Sequence, residues 1–483
     1  MAGLCCHSKM TYAPSPHASE VGYTQPSKQA RLDATKPSPP KSSSRSKSTT
    51  KTKKPKLPAS PTKTDVQHFP APLVLPDDDL ALDPEYPAQS YQEWYDEEER
   101  NQVTARRKTV YVVRPPGVDR SIGEVQDWAV PSAARQVKAK EKAKGQSSEN
   151  EVEKEVEPNI EDVLEYLSAF FHSLPVNELN IPNEHWNFTP WDDEANDEED
   201  TPPPKKQKRP LKNRKAKTTY LALSTGKEAI RIRARCSPHT QDKLGSVYSH
   251  QLNLNDLLDV AIEILPSDAY ALCMLVHHDL YEDDEDVFVC GRAYGGSRVA
   301  VVSSARYRPS PDEVQGVERV HAWPRSHCAK YIEKCCDGQK VKDAKALDMS
   351  TTTTNLPPLE SALSASVNHQ TTTSLESPSA TWLYRTLRTI SHEVCHCFGL
   401  DHCVYYACIM QGSASLAEDA RQPPYLCPVD LAKVLAATGS TLKERNEALL
   451  GFCERGDLRG ESGFGALAGW LRASLLRDEG GKE

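Results

Sequence analysis

Twenty residues from Ser391 to Met410, SHEVCHCFGLDHCVYYACIM, hold three histidines, one glutamate and four cysteines. The run TWLYRTLRTISHEVCHCF before Gly399 contains neither Gly nor Pro, which predicts a helix of about five turns. Leu383, Leu387, Ile390 and Val394 share one face of it, and His392 and His396, four residues apart, share the opposite face. A strand would hold two such residues too far apart for one metal. Two imidazoles leave a tetrahedral zinc short of ligands. Gly399 can take the left-handed conformation that ends a helix, which lets His402 return as a third nitrogen ligand. Three histidines and a water make an open site, and zinc lowers the pKa of that water from ~15.7 toward ~7. Glu393 projects a quarter-turn from His392, where its carboxylate reaches the water without ligating the metal and acts as general base. Two surface histidines on a helix are the alternative, and they leave Gly399 and His402 as coincidence.

A second set of ligand types follows. Cys403 is adjacent to His402, Cys408 comes five later, and Cys427 precedes Asp430 with the spacing of a Cys-x-x-Cys hook. Three thiolates and a carboxylate would close a structural zinc site; separate buried thiols packing as small hydrophobes would look the same in sequence. Cys395 and Cys397 lack hook spacing and are expected to be core residues without metal. Cys290, Cys335 and Cys336 receive no role. Cys5, Cys6 and His7 could touch a metal, but a free polar terminus is the preferred reading.

Several elements must position these groups. Thr109–Val113 and TTYLALS at 218–224 read as strands, and AYALCMLVHHDL as a buried one. GRAYGGSRVAVVSS reads as a turn followed by a strand. NIEDVLEYLSAFF and LNLNDLLDVAIEIL carry apolar residues at helical spacing, and two short helices are expected in the C-terminal tail, the first opened by a Thr441/Glu444 capping box.

Only 38% of the chain is hydrophobic and it holds 36 prolines, so part of its 483 residues is expected not to join a core. Residues 1–85 read as a disordered Ser/Pro/Lys-rich region, with twelve basic residues against Glu20 and Asp33 before position 65. Residues 86–190 read as the start of the folded region, interrupted by a charged insertion near 138–157. An acidic-then-basic linker occupies 191–217; its basic block fits a nuclear import signal, a nucleic-acid contact or a solvated loop. The zinc domain is assigned to 218–435 with a low-complexity insertion at 337–378, and a helical tail to 436–483. No secretory leader or apolar run of membrane-spanning length is seen. Fourteen cysteines are too sparse for a disulfide scaffold, so an intracellular protein is expected, cytoplasmic with the nucleus also open to it.

The pattern His392-Glu393-x-x-His396-x-x-Gly399-x-x-His402-Cys403, then Cys408-x-Met410 and Cys427, resembles the archaemetzincins, a branch of the metzincin zinc peptidases. It departs at Asp430, where that family usually has a cysteine. The likeness extends upstream through YEDDEDVFVCGRAYGGSRVAVVSSARY, and more faintly to fungal members in the N-terminal regions. It implies an α/β (α+β) catalytic domain with a mixed sheet, a backing helix and an active-site helix. It also implies one catalytic and a second structural zinc, a turn at Met410 beneath the catalytic metal, and Val299–Ser303 as the edge strand that receives substrate. By pattern alone Met410 is a core methionine and Val299–Ser303 an ordinary strand. The expected function is a monomeric zinc metallopeptidase acting on a peptide or protein, without membrane or nucleic-acid partners. Two rivals stand beside it: a non-catalytic zinc-binding interaction protein with nucleic-acid or nuclear contacts, and a zinc hydrolase of a non-peptide amide.

Overall fold

In the computed structural model the described residues are 5, 7–37, 68–132, 155–191, 219–239, 244–341, 343–346, 356–372, 377–458 and 461–480. Most of the charged insertion, the 192–217 linker and the basic stretch 38–67 lie outside them.

The strands run in chain order as β1 (Lys9–Met10), β2 (Thr109–Val113), β3 (Gly117–Val118), β4 (Val176–Glu178), β5 (Asn187–Pro190), β6 (Thr219–Ser224) and β7 (Ala229–Cys236). They continue as β8 (His250–Asn253), β9 (Ala269–Val276), β10 (Leu280–Tyr281), β11 (Gly291–Tyr294), β12 (Val299–Ser303) and β13 (Lys345–Ala346). The helices that matter for the site are α1 (Tyr91–Asp96), α2 (Ile160–Phe170), α3 (Leu254–Glu263), α4 (Pro358–Thr372) and α5 (Pro378–Cys397). After it come α6 (Leu416–Arg421), α7 (Pro428–Thr438), α8 (Leu442–Cys453) and α9 (Ser462–Gly480).

A mixed five-stranded sheet in the order β11-β12-β9-β2-β4 lies at the centre. Only β11 runs antiparallel to its neighbour; the other pairings are parallel. Every residue of β9 and β12 is buried, as a parallel strand covered on both faces requires. Alternation along β9 then sorts the two faces. Ala271, Cys273 and Leu275 join the cluster that contains Leu383, Leu387, Ile390 and Val394 of α5. Leu272, Met274 and Val276 join the cluster formed by Leu254, Leu257, Leu258 and Ala261 of α3. The apolar stripe read from the sequence of α5 is therefore its buried face, against one side of the sheet, while α3 backs the other side. A second, six-stranded sheet, β10-β8-β7-β6-β5-β3, contributes Leu221, Leu223, Ile232 and Leu252 to the same second cluster.

Several boundaries differ from the expectation. Because β2 and β4 pair into the central sheet, residues 86–190 are part of the domain begun at 218 rather than a region before it. Val299–Ser303 is not the edge: it lies between β9 and β11, and Gly291–Tyr294 is the outer strand. Residues 7–37 and 68–85 are ordered, contrary to a disordered 1–85. Met10, Ala18, Tyr23, Leu32, Leu73 and Leu75 are buried, and long-range hydrogen bonds hold the arm, such as Ser15 N to Leu73 O at 2.8 Å and Ala71 N to Tyr12 O at 3.0 Å. The low-complexity segment 337–378 contains α4, which packs along α9. Leu359, Ala362 and Leu363 face inward there, and small residues permit close approach, with the Ser361 hydroxyl donating to the Gly469 carbonyl at 2.9 Å. The C-terminal helices α8 and α9 are core rather than tail, since Phe452, Phe464 and Trp470 belong to the main cluster.

Candidate metal centre

Helix α5 is fixed at both ends before it presents its histidines. Near its start the Trp382 indole donates to the Ser304 carbonyl at 2.7 Å, and Arg385 grips Asp312 with two bonds of 2.7 and 2.9 Å. One turn before His392, Arg388 pairs with Asp419 of α6 and donates to the Gln422 carbonyl at 3.0 Å. At the C-terminus the Phe398 ring stacks on Phe171 with centroids 5.0 Å apart, and the Trp94 indole of α1 donates to the Phe398 carbonyl at 2.8 Å. Gly399 then takes φ +79°, the left-handed region in which a Cβ would be strained, and the chain reverses toward His402 as expected.

The three imidazoles meet. His392 Nδ1 donates to the Ile409 carbonyl and His396 Nδ1 to the Leu400 carbonyl, both at 2.6 Å. A carbonyl only accepts, so these bonds fix the protons on Nδ1 and leave each Nε2 with a free lone pair. The two Nε2 atoms lie 3.0 Å apart, and the His402 ring centroid is 5.4 and 5.1 Å from those of His392 and His396. Nitrogens at ~2.0–2.1 Å from a tetrahedral zinc would stand about 3.4 Å apart, so this donor set fits zinc with small adjustments. Burial, reinforced by the neighbouring imidazoles, holds His392 far below its ordinary pKa and brings His396 to about 4; burial also lowers His402. Neutral imidazole is the form that ligates a metal.

Glu393 is 8% exposed and lines the same cleft, which has a volume of about 560 Å³. Burial pushes its carboxyl up to about 8, against the Arg292 guanidinium and a backbone hydrogen bond from Ala293. A cation among the histidines would lower it again. Both opposing groups belong to the edge strand β11. That strand approaches α5 closely at Gly291, where an added Cβ would fall 3.0 Å from the Val301 carbonyl and 3.4 Å from Glu393 Cγ. Sequence spacing gave no hint of Arg292 or Ala293, because their contact with Glu393 depends on the sheet.

The second cluster also assembles. Cys403 Sγ is 3.5 Å from Cys427 Sγ, and Asp430 Oδ2 lies 3.3 Å from both Cys408 Sγ and Cys427 Sγ. All four residues are buried and their ligand atoms lie within 4.8 Å of one another. Tetrahedral zinc with Zn–S of ~2.3 Å and Zn–O of ~2.0–2.2 Å predicts edges of about 3.5–3.8 Å. The other carboxylate oxygen, Oδ1, accepts from the Lys433 ammonium at 2.9 Å, and that ammonium also reaches Gln89 O and Oε1 at 2.8 Å. Burial pushes Asp430 up to about 7, with Cys403 adding to the rise and Lys433 opposing it. Lys433 was absent from the expected site. Its position three residues after Asp430 on one helix was the only local signal. Met410 is wholly buried and its carbonyl accepts from Cys403 N at 2.7 Å; the preceding carbonyl, Ile409, is the one that orients His392. Cys395 and Cys397 lie in the main core, where burial raises their thiol pKa values.

Residues 370–434 match the model of peptidase family M54. Over 217 residues the chain is 29% identical to archaemetzincin-2 of Macaca fascicularis and of Homo sapiens, a span covering 45% of this chain and 49% of each relative. It is 27% identical over 199 residues to human archaemetzincin-1, covering 41% of this chain and 33% of the relative. The chain thus spans about half the length of the first of these relatives. The crystal structure of an archaemetzincin from Methanopyrus kandleri superposes with a TM-score of 0.27 at 14% identity, over 68% of this chain and 94% of that one, too loosely to bear on the fold. The segment that carries the three histidines, Glu393 and the second cluster is thus similar to peptidase family M54 and to the archaemetzincins.

Proposed function

We propose that the protein is a zinc-dependent peptidase with a metzincin-like catalytic domain, in which His392, His396 and His402 hold the catalytic metal. The observation that carries this reading is the convergence of two Nε2 lone pairs, their protons tied back by the Ile409 and Leu400 carbonyls, beside a buried carboxylate in an open cleft. When bound, zinc supplies Lewis acidity to a water and to a substrate carbonyl. Glu393 takes a proton on its carboxylate from the attacking water and returns it to the departing amine. Its burial keeps the carboxyl basic enough to accept that proton, and the Ala293 N–H keeps it oriented. The outer edge of β11 borders the cleft, so an extended peptide would add there as a strand, its backbone groups pairing with the free edge.

The reading extends to a second, structural zinc held by Cys403, Cys408, Cys427 and Asp430. That site would fix the loop bearing His402, with Met410 forming the turn beneath the catalytic metal. The protein is taken as a monomer inside the cell. Glu393→Gln tests the mechanism: zinc content should be retained while cleavage of a peptide library falls by about 10²-fold or more. A variant that cleaves as fast as wild type removes the proposed role of Glu393.

A further inference from the structure

The N-terminal arm carries a third cluster of ligand types. Cys5, His7 and His321 bring one ligand atom each within 4.8 Å of the others. Residues 5 and 321 come together because the arm is laid along the 319–328 segment. Thr11 N donates to the His327 carbonyl at 3.0 Å, and Met10 bridges to Cys328. His321 Nδ1 lies 3.1 Å from the Glu318 carboxylate, and His7 bonds the backbone of Val320, while Nε2 of each is buried with no hydrogen-bond partner. His321 is 7% exposed and its ring is held by stacking on Tyr331, with centroids 4.1 Å apart. A buried imidazole nitrogen without a partner forfeits about 1–3 kcal/mol of desolvation, and two facing one cysteine call for a ligand that satisfies all three. A further thiol lies beside Cys5, outside the set of three ligand atoms that stand within 4.8 Å of one another. Cys328 Sγ lies 3.6 Å from Cys5 Sγ, against about 3.8 Å for two thiolates on one tetrahedral zinc and ~2.05 Å for a disulfide.

We propose that Cys5, His7 and His321 form a third metal site that takes zinc and is structural, with Cys328, next to Cys5, moving in as the fourth donor when the metal binds. Mixed thiolate and imidazole donors select a borderline-soft divalent ion of this kind. With Cys328 drawn in beside Cys5, four protein donors would close the site and leave no position for substrate. Its work is to clamp the arm, and the arm supports the loop that bears His402. Tyr23 donates to the Val404 carbonyl and Gln25 to the Tyr405 carbonyl, both at 2.8 Å, and the Arg31 guanidinium lies 4.9 Å over the Tyr406 ring. The metal therefore ties residues at the start of the chain to the loop that completes the histidine cluster.

The test is zinc per chain, by elemental mass spectrometry, in the full-length protein and in Cys5→Ser, His7→Ala and His321→Ala. Each variant should carry one equivalent fewer than wild type, and protease should cut residues 7–37 faster. Glu393→Gln should keep the full count, so failure of the peptidase reading leaves this result independent. Equal zinc in wild type and His7→Ala overturns the proposal, as does an intact mass that shows Cys5 joined to Cys328 by a disulfide. Should His7→Ala lose more than one equivalent, His7→Cys decides: a full count supports the site, and a missing equivalent overturns it.

Discussion

Replacing Asp430 tests how an aspartate can stand where a cysteine is usual. Its carboxylate divides its work. Oδ2 faces Cys408 and Cys427 at 3.3 Å, and Oδ1 holds Lys433 at 2.9 Å, with both residues almost wholly buried. In Asp430→Ala a zinc held by the proposed site would lose its oxygen ligand, and the Lys433 ammonium would lose its only anionic contact among its described partners, keeping Gln89 O and Oε1. Breaking a buried ion pair by removing one partner costs about 3–5 kcal/mol. Loss of a structural zinc adds to that, since metal binding and folding are coupled in such sites. Asp430→Cys restores a fourth soft ligand but not the Lys433 contact, so it should keep zinc and lose only part of the stability. Urea unfolding and zinc content measured on the same preparations separate the two effects. Asp430→Ala should carry one zinc fewer than wild type and unfold at clearly lower urea, with Asp430→Cys between them. If Asp430→Ala keeps the wild-type zinc count, Asp430 is not a ligand, and the division of labour between its two oxygens is wrong.

His402→Ala should lose the catalytic zinc while retaining the cysteine-bound one, because His402 and Cys403 serve different clusters despite adjacency; a zinc count on the purified variant shows it. Gly469→Ala should destabilise by roughly 1–3 kcal/mol, since the added Cβ would fall 2.7 Å from the Ser361 carbonyl and 3.0 Å from Ala365 Cβ, prising α4 from α9. A thermal midpoint equal to wild type would show that the two helices are not in close contact. Glu418 is a pH-sensitive position outside both ligand clusters. Burial, with Asp78 adding, raises its carboxyl from 4.5 to about 8. The folded state then holds a proton that the unfolded chain has released, so stability is greatest below pH ~4.5 and falls as pH rises toward 8. Glu418→Gln retains an acceptor for the Asp79 and Ala414 amides, which bond Glu418 Oε2 at 2.9 and 2.8 Å, and removes that fall. The variant should gain ~2 kcal/mol on wild type between pH 5 and pH 8, from about 1.4 kcal/mol per pKa unit discounted for the coupling to Asp78. An unchanged pH slope of the melting temperature refutes the assignment.

What the sequence made legible follows contact range. His392, Glu393, His396 and Gly399 lie within eight residues, where helical periodicity alone sets their directions, and His402 needs only the turn at Gly399. The Cys427 to Asp430 hook is equally local. Strands β2 and β9 were readable because β-branched and apolar runs carry a strong local signal. The arm at 7–37 had no such signal. Its buried residues, Met10, Ala18, Tyr23 and Leu32, follow neither helical nor strand periodicity, and its anchoring bond from Tyr23 spans to Val404. Helix α4 was missed for a different reason. Ser and Ala dilute hydrophobicity, yet their small size is what lets α4 approach Gly469.

The same distinction explains the order in which the two metal loops can become defined during folding. Helix α5 places His392 and His396 as soon as it forms against β9, but His402 depends on the loop 403–408. That loop is pinned from three directions: Cys427 and Asp430 of the segment opening α7, the Pro70 carbonyl that receives the Ala407 amide at 2.8 Å, and Tyr23 on the Val404 carbonyl. Two of the three pins come from regions whose composition resembles a disordered tail. Deleting residues 1–37 should therefore weaken zinc retention at the histidine cluster, although no residue of the arm touches His392 or His396 in a hydrogen bond among the described residues. Competition with a chelator gives the measurement: the truncated protein should release the histidine-bound zinc at lower chelator concentration than the full chain. Identical release curves would mean that α5 and the cysteine cluster suffice to hold His402, and that the arm serves another purpose.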